Sequence, residues 1–187
     1  MTDTLLKQVH DLYKKHEEIP YIAAERDLSI FLKKIQLGTE SLVPKRNMIR
    51  TPEGLLPGDI ILIWRIALGT YTTESWTPKY FEYDYGIHCE GSLDMLLDQG
   101  YARKYTATES LVHVPATVLK SILKSEGIKG YSKLNKEELM DVVSQSISED
   151  RLAELIDIRG YELTDKGQAA LDNNPEVIDR HPKKNLG

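Results

Sequence analysis

The stretch Val118 to Val143, VLKSILKSEGIKGYSKLNKEELMDVV, constrains the fold more than any other part of the chain. Leu119, Ile122 and Leu123 recur at helical spacing and form one apolar face; Leu139, Met140 and Val143 form a second. The run Gly127-Ile128-Lys129-Gly130-Tyr131-Ser132-Lys133-Leu134-Asn135-Lys136 joins them. Gly127 and Gly130 permit the backbone turns that reverse the chain over a short linker. Asn135 suits the N-cap of the second helix, and Glu138, three residues on, matches a capping box. The spacing therefore predicts two short amphipathic helices joined by a tight, lysine-bearing linker.

Composition sets the frame around this pair. At 187 residues the chain is long enough for one ordinary domain or two small ones. A hydrophobic share of 41% and a charged share of 28% mark a globular rather than a disordered chain. The net charge of −5 excludes a molecule coated in positive potential, so any nucleic-acid contact must use a local patch. The acidity lies mostly in the front half: residues 1–100 carry −4 and residues 101–187 carry −1. The longest apolar run, Ile60 to Trp64, is far shorter than the roughly 20 residues a membrane span needs. The first twenty residues read as an amphipathic charged helix rather than a signal peptide. The single cysteine, Cys89, forms no internal disulfide and fits a reducing compartment. These points predict a cytoplasmic protein without membrane contact.

Elsewhere the pattern is again helical. Leu5, Leu6, Val9, Leu12 and Tyr13 repeat with helical period, as do Leu28, Phe31, Leu32 and Ile35, whose helix ends near Gly38. Residues 39–57 carry Pro44, Pro52, Gly54 and Pro57 without clear period and read as a long loop or short hairpin. The run IILIWRIALG predicts a buried helix with Asp59 as N-cap and Gly69 at its close. Tyr71 to Trp76 reads as a loop, Ser92 to Gln99 as a helix closed by Gly100, and Tyr101 to Tyr105 as a strand. Ser148 caps a short helix holding Leu152, Leu155 and Ile156. Tyr161 to Leu163 is extended, Thr164 caps a helix to about Asn173, and the tail from Arg180 reads as frayed. The expected fold is mainly α with a few short strands. A helical N-terminal region, 1–110, carries an acidic aromatic segment; the region 111–187 holds the helix pair and a terminal strand–helix unit.

Five lysines (Lys120, Lys124, Lys129, Lys133 and Lys136) and four acids in residues 118–143 give a net of only +1. Their placement says more. Lys129, Lys133 and Lys136 bracket the linker and the start of the second helix, where free backbone N–H groups and the positive end of the dipole favour phosphate. The residues Leu119-Lys120, Gly127-Ile128, Lys129-Gly130-Tyr131-Ser132-Lys133-Leu134 and Lys136-x-x-Leu139 resemble the N-terminal helical domain of transcription termination factor Rho. More broadly they resemble the helix–extended–helix group that includes SAP domains, over about residues 115–147. A SAP domain places a glycine two residues before the second helix's lysine; Leu134 stands there, which favours the Rho-like variant. The resemblance implies contact with DNA or RNA backbones, or docking of a protein, by Lys129, Tyr131, Ser132, Lys133, Asn135 and Lys136. A looser likeness covers residues 80–181, from Tyr80-Phe81-Glu82-Tyr83-Asp84-Tyr85-Gly86-Ile87 to Leu163-Thr164-Asp165-Lys166-Gly167. It is similar to SAP- or Rho-N-containing proteins of Gram-positive bacteria and their phages, and implies no particular activity.

Motifs for chemistry are scarce. The sequence holds no G-x-x-x-x-G-K-[ST] loop, no G-x-G-x-x-G turn and no G-x-S-x-G elbow. His10 and His16 do not share a helix face, and His88, Cys89 and His113 lack metal-site spacing, so neither catalytic residues, a metal nor a cofactor is expected. Eight aromatics fall within the 35 residues from Tyr71 to Tyr105. Such residues stack bases, anchor an interface or fill a core. The neighbouring acids Glu74, Glu82, Asp84, Glu90 and Asp94 repel phosphate, so a surface over Tyr80–Tyr85 suits a protein partner or a second copy. Two functions follow as expectations: a non-enzymatic nucleic-acid-binding accessory protein, or a protein–protein adaptor whose helix pair is purely structural.

Overall fold

A computed structural model describes residues 2–183. Among the described residues the chain is mainly helical, with ten α-helices and one two-stranded sheet. It divides into two compact units. One holds the described residues up to Trp64, with Trp76–Tyr101 and those from Thr164 onward; the other holds Arg65–Ser75 and Ala102–Leu163.

The first unit is organised by α3, Pro57–Ala67, of which all but the last three residues belong to it. Ile60, Ile61, Leu62 and Ile63 are each 0% exposed. Four consecutive residues on a helix point in four directions, so apolar neighbours surround this turn on every side. Burial of each such side chain contributes about 2 kcal/mol. The remaining elements are α1 (Thr2–Leu12), α2 (Leu28–Gln36), the short α4 (Tyr80–Tyr83) and α5 (Cys89–Asp98), with α9 (Asp165–Asn173) and α10 (Pro175–Asp179). The helix starts follow local chemistry. Asp27 accepts from the Ile30 amide to begin α2, His88 Nδ1 from Gly91 to begin α5, and Thr164 Oγ1 from Gly167 to begin α9.

The second unit is built around the helix pair. β1 (Ala102–Lys104) and β2 (Tyr161–Leu163) pair antiparallel in the register Ala102↔Leu163 to Lys104↔Tyr161. The residues between them fold as a 3-10 turn (Glu109–His113), α6 (Ala116–Ser125), α7 (Lys136–Ser146) and α8 (Glu149–Leu155). Leu119, Ile122 and Leu123 of α6 and Leu139 and Val143 of α7 share one core with Ala107, Leu111, Val114, Ile147, Leu152 and Ile156. The strand pair thus closes a loop whose contents have their own hydrophobic centre. At the end of α6, Gly127 takes φ +74°, and the Ile128 amide donates to Leu123 O. This six-residue closure needs a left-handed residue at that point, and it packs Ile128 beside the same core. Glu149, at the start of α8, accepts from the Ala107 amide (2.6 Å) and the Thr108 amide (2.8 Å), fixing the segment before the 3-10 turn.

Two sequence expectations are corrected and one open choice is settled. Asp59 lies inside α3 rather than capping it: Pro57 opens the helix, where its missing N–H costs nothing, and Asp59 Oδ2 accepts from Leu56 N at 2.9 Å. Of the two readings of residues 39–57 the long loop holds and the hairpin does not; the segment contains a 3-10 turn, Lys45–Met48. The tail from Arg180 is ordered as far as it is described. His181 is 9% exposed, and its Nδ1 lies 2.7 Å from the Tyr85 hydroxyl. Residues 184–187 of that tail lie outside the described residues.

Candidate nucleic-acid interface

The capping box at the head of α7 is complete. Asn135 Oδ1 accepts from the Glu138 amide at 3.0 Å, and Glu138 Oε2 accepts from the Asn135 amide at 2.8 Å. The side chain of Asn135 is therefore committed to its own helix, and two carboxylates, Glu137 and Glu138, stand in the first turn. Lys136 is exposed, but its ammonium donates to Val112 O at 2.6 Å. Lys120 likewise donates to Ser132 O at 3.1 Å. Both ammonium groups lie against backbone carbonyls of their own unit.

The other three lysines of the pair differ. Lys124, Lys129 and Lys133 are exposed, and their ammonium groups make no hydrogen bond or ion pair among the described residues. Lys124 and Lys129 line a groove of about 360 Å³ with Gly127, Ile128, Gly130, Tyr131 and Ser132. Lys133 follows directly in the chain. Gly127 and Gly130 leave the backbone bare here: a Cβ on either would meet nothing within 4 Å. Tyr131 is half-buried, packs against the core and also lines the groove. Of the expected contact residues, the fold thus brings Lys129, Tyr131 and Ser132 to one groove. It sets Asn135 and Lys136 to structural work, and it adds Lys124, which the linker-centred pattern missed.

Two of the acids near this groove in sequence, Glu126 and Glu138, are occupied, while Glu137 is exposed and its carboxylate makes no hydrogen bond or ion pair among the described residues. Arg151 donates to both oxygens of Glu126, with Nη2 to Oε1 at 2.8 Å. That pairing holds the Glu126 carboxyl below its ordinary range. Glu138 is held in the capping box. Two free cations, Lys124 and Lys129, therefore line the groove, with Lys133 next along the chain, while Glu126 and Glu138 face protein donors.

The aromatic segment is not an open surface. Phe81 is 1% and Tyr85 3% exposed. Burial pushes the Tyr85 phenol up to about 12. Tyr83 is partly exposed, and Arg26 lies over its ring at 4.1 Å. Glu82 accepts from the Ala23 amide and from Arg26. Phe81 and Tyr85 thus belong to the core, and of the acids in this segment Glu82 is held by Ala23 and Arg26.

The residues considered for metal binding have other roles. His88 caps α5 and stacks beside Tyr21 with ring centroids 4.8 Å apart. Cys89 is buried, and His113 packs on Tyr105. Among the described residues no group of three or more His, Cys, Asp or Glu side chains could hold a metal ion. A cleft of about 390 Å³ in the first unit includes Asp59, Arg50, Glu18 and His88. Its charged groups serve the fold: Arg50 binds both Glu18 oxygens, and Asp59 takes the Leu56 amide. No helix among the described residues is long and apolar enough to cross a membrane. Compared with known proteins, the chain matches no family model, no curated sequence and no solved structure.

Proposed function

We propose that this chain is a non-enzymatic nucleic-acid-binding accessory protein whose helix pair holds backbone phosphates without reading sequence. Lys124, Lys129 and Lys133 are the contact residues, with the bare backbone of Gly127–Gly130 letting a sugar–phosphate chain come close. The observation that carries this reading is the pair of partnerless ammonium groups of Lys124 and Lys129 lining one groove, with a third, Lys133, next along the chain, beside a Glu126 already bound by Arg151. Phosphate contacts of this kind position a nucleic acid and carry no base information. In a chain of net charge −5 they supply a local attraction against an unfavourable overall field.

Fluorescence anisotropy with labelled duplex DNA, single-stranded DNA and RNA at several salt concentrations tests the proposal. Three phosphate contacts on a duplex predict a slope of log affinity against log salt of about −3. Changing Lys129→Glu together with Lys133→Glu should weaken binding at least roughly tenfold and flatten that slope by about 2. Absence of salt-dependent binding to all three probes at low salt defeats the reading and leaves the adaptor function, with a purely structural helix pair, as its replacement.

A further inference from the structure

The chain has eight arginines, and six of them have visible work. Arg26, Arg50, Arg103 and Arg151 hold carboxylates. Arg159 donates to the Ile156 and Ile158 carbonyls, and Arg65 lies over Tyr71. The guanidinium groups of Arg46 and Arg180 alone make no hydrogen bond, ion pair or ring contact among the described residues. Both line the same small cavity, of about 180 Å³, in the first unit. Asn47, Asp84, Tyr85 and two prolines complete its wall.

Two further features point to a ligand. Asn47 is 5% exposed, and its Nδ2 donates to Asp84 O at 2.7 Å, which fixes the amide orientation. Its Oδ1 is buried and has no hydrogen-bond partner. A buried acceptor left unmet is costly, and a donor on a bound molecule would satisfy it. Asp84 shares the cavity with two guanidinium groups, yet no arginine comes within ion-pair distance of its carboxylate among the described residues. The lining therefore offers two cationic forks, one carboxylate and one unmet acceptor.

We infer that this cavity binds a small phosphate monoester that also carries an ammonium group. The oxyanion would take the forks of Arg46 and Arg180, whose planar donors match phosphate oxygens. The ammonium would donate to Asn47 Oδ1 and face Asp84. The volume is below that of drug-sized pockets, which begin near roughly 300 Å³, so a ligand of a few heavy atoms fits and a nucleotide does not. None of these residues belongs to the helix pair, and the outcome is independent of the nucleic-acid reading.

The test uses the full chain, with phosphoethanolamine and inorganic phosphate as probes, read by calorimetry and by the NMR signals of the Asn47 side-chain amide. Phosphoethanolamine should bind saturably in the millimolar range or tighter, shift the Asn47 signals and bind better than inorganic phosphate. Arg46→Gln with Arg180→Gln replaces two exposed side chains that support no contact, so the fold should hold while affinity for both probes falls at least roughly tenfold. Asp84→Asn should tighten inorganic phosphate and erase the preference for phosphoethanolamine. Unsaturable binding, shifts scattered away from Asn47, or affinity unchanged in the double arginine variant would each overturn the site.

Discussion

The two units reach a packed core by different routes, and α3 and α7 show the contrast. In α3, residues 60 to 63 are buried without interruption, so its core-forming stretch has no polar side. In α7, Leu139 and Val143 are fully buried, Met140 and Val142 partly so, and Glu137 and Asp141 are exposed. A helix enclosed by its neighbours shows no period in its sequence. A helix laid on one core shows a strong one. Periodicity therefore reports how many sides of a helix are covered, not how important the helix is.

Substitutions along each helix should break or sharpen this contrast with the largest effects. In α3, Ile61→Ala and Leu62→Ala should each cost about 3–4 kcal/mol, although they lie on different sides of the helix. In α7, Leu139→Ala should cost a similar amount, about 3 kcal/mol, whereas its neighbour on the outer face, Asp141→Ala, should stay within about 0.5 kcal/mol. Urea denaturation followed by fluorescence and circular dichroism reads both series. A position-dependent pattern in α3 matching that of α7 would refute the enclosed-helix description.

The same contrast explains what was legible in the sequence. Asn135, Ser148 and Thr164 cap their helices as their side-chain chemistry predicts, because a cap is settled within three or four residues. The helix opens three positions before the start that an Asp59 cap implies, because the apolar run offers no phase and both Pro57 and Asp59 suit a helix start. The Tyr85–His181 contact joins residues 96 apart, and nothing local to either announces it. At the candidate interface, the sequence pointed to the linker and to Lys129 and Lys133. It could not show that Lys136 would reach Val112 O, because that carbonyl comes from a turn 24 residues earlier. Lys124 was passed over because the end of α6 meets the linker only after the chain turns at Gly127.

The units also differ in how their carboxyls are held, which separates them by pH. In the second unit the resolved carboxyl shifts all run downward. Hydrogen bonds from Arg103 and the Thr106 amide hold Glu109 at about 2. For Glu149, burial acts upward, but bonds from Thr108 and the Ala107 amide outweigh it and keep the carboxyl low. A lowered carboxyl stabilises the fold above its unfolded value, near 4.5, and that contribution drains away as pH falls toward 2. His113 acts in the same direction. Burial, helped by Lys136, lowers it below 6.5, so its neutral form belongs to the fold and stability falls as acid protonates it. In the first unit, burial raises Asp59 and Asp84 above 3.8, so their contribution is full at low pH and is lost as pH rises, while lowered Asp27 and Glu53 oppose them. Acid should therefore loosen residues 107–158 before α3, as read by NMR signal loss during urea titrations at about pH 3 and about pH 6. Glu149→Gln should cost about 1–2 kcal/mol at neutral pH and reduce this acid sensitivity. Simultaneous loss of both units at every pH would remove the distinction.

The smaller effects distinguish a built helix pair from its ligand-facing corner. Asn135→Ala removes one half of the capping box and should cost about 1 kcal/mol, with nucleic-acid affinity almost unchanged if the free lysines are the contacts. Lys136→Gln loses a hydrogen bond to Val112 O at an exposed site and should cost about 0.5 kcal/mol. Lys124→Gln, Lys129→Gln and Lys133→Gln remove charges that touch no protein group, so their stability changes should scatter around zero. The two lysine classes should then exchange rank when the measurement changes. Lys136 outranks the free three in urea denaturation, and each of the free three outranks Lys136 in the salt slope of nucleic-acid binding. A ranking that stays the same in both measurements would mean that freedom from protein partners does not mark the residues that meet phosphate.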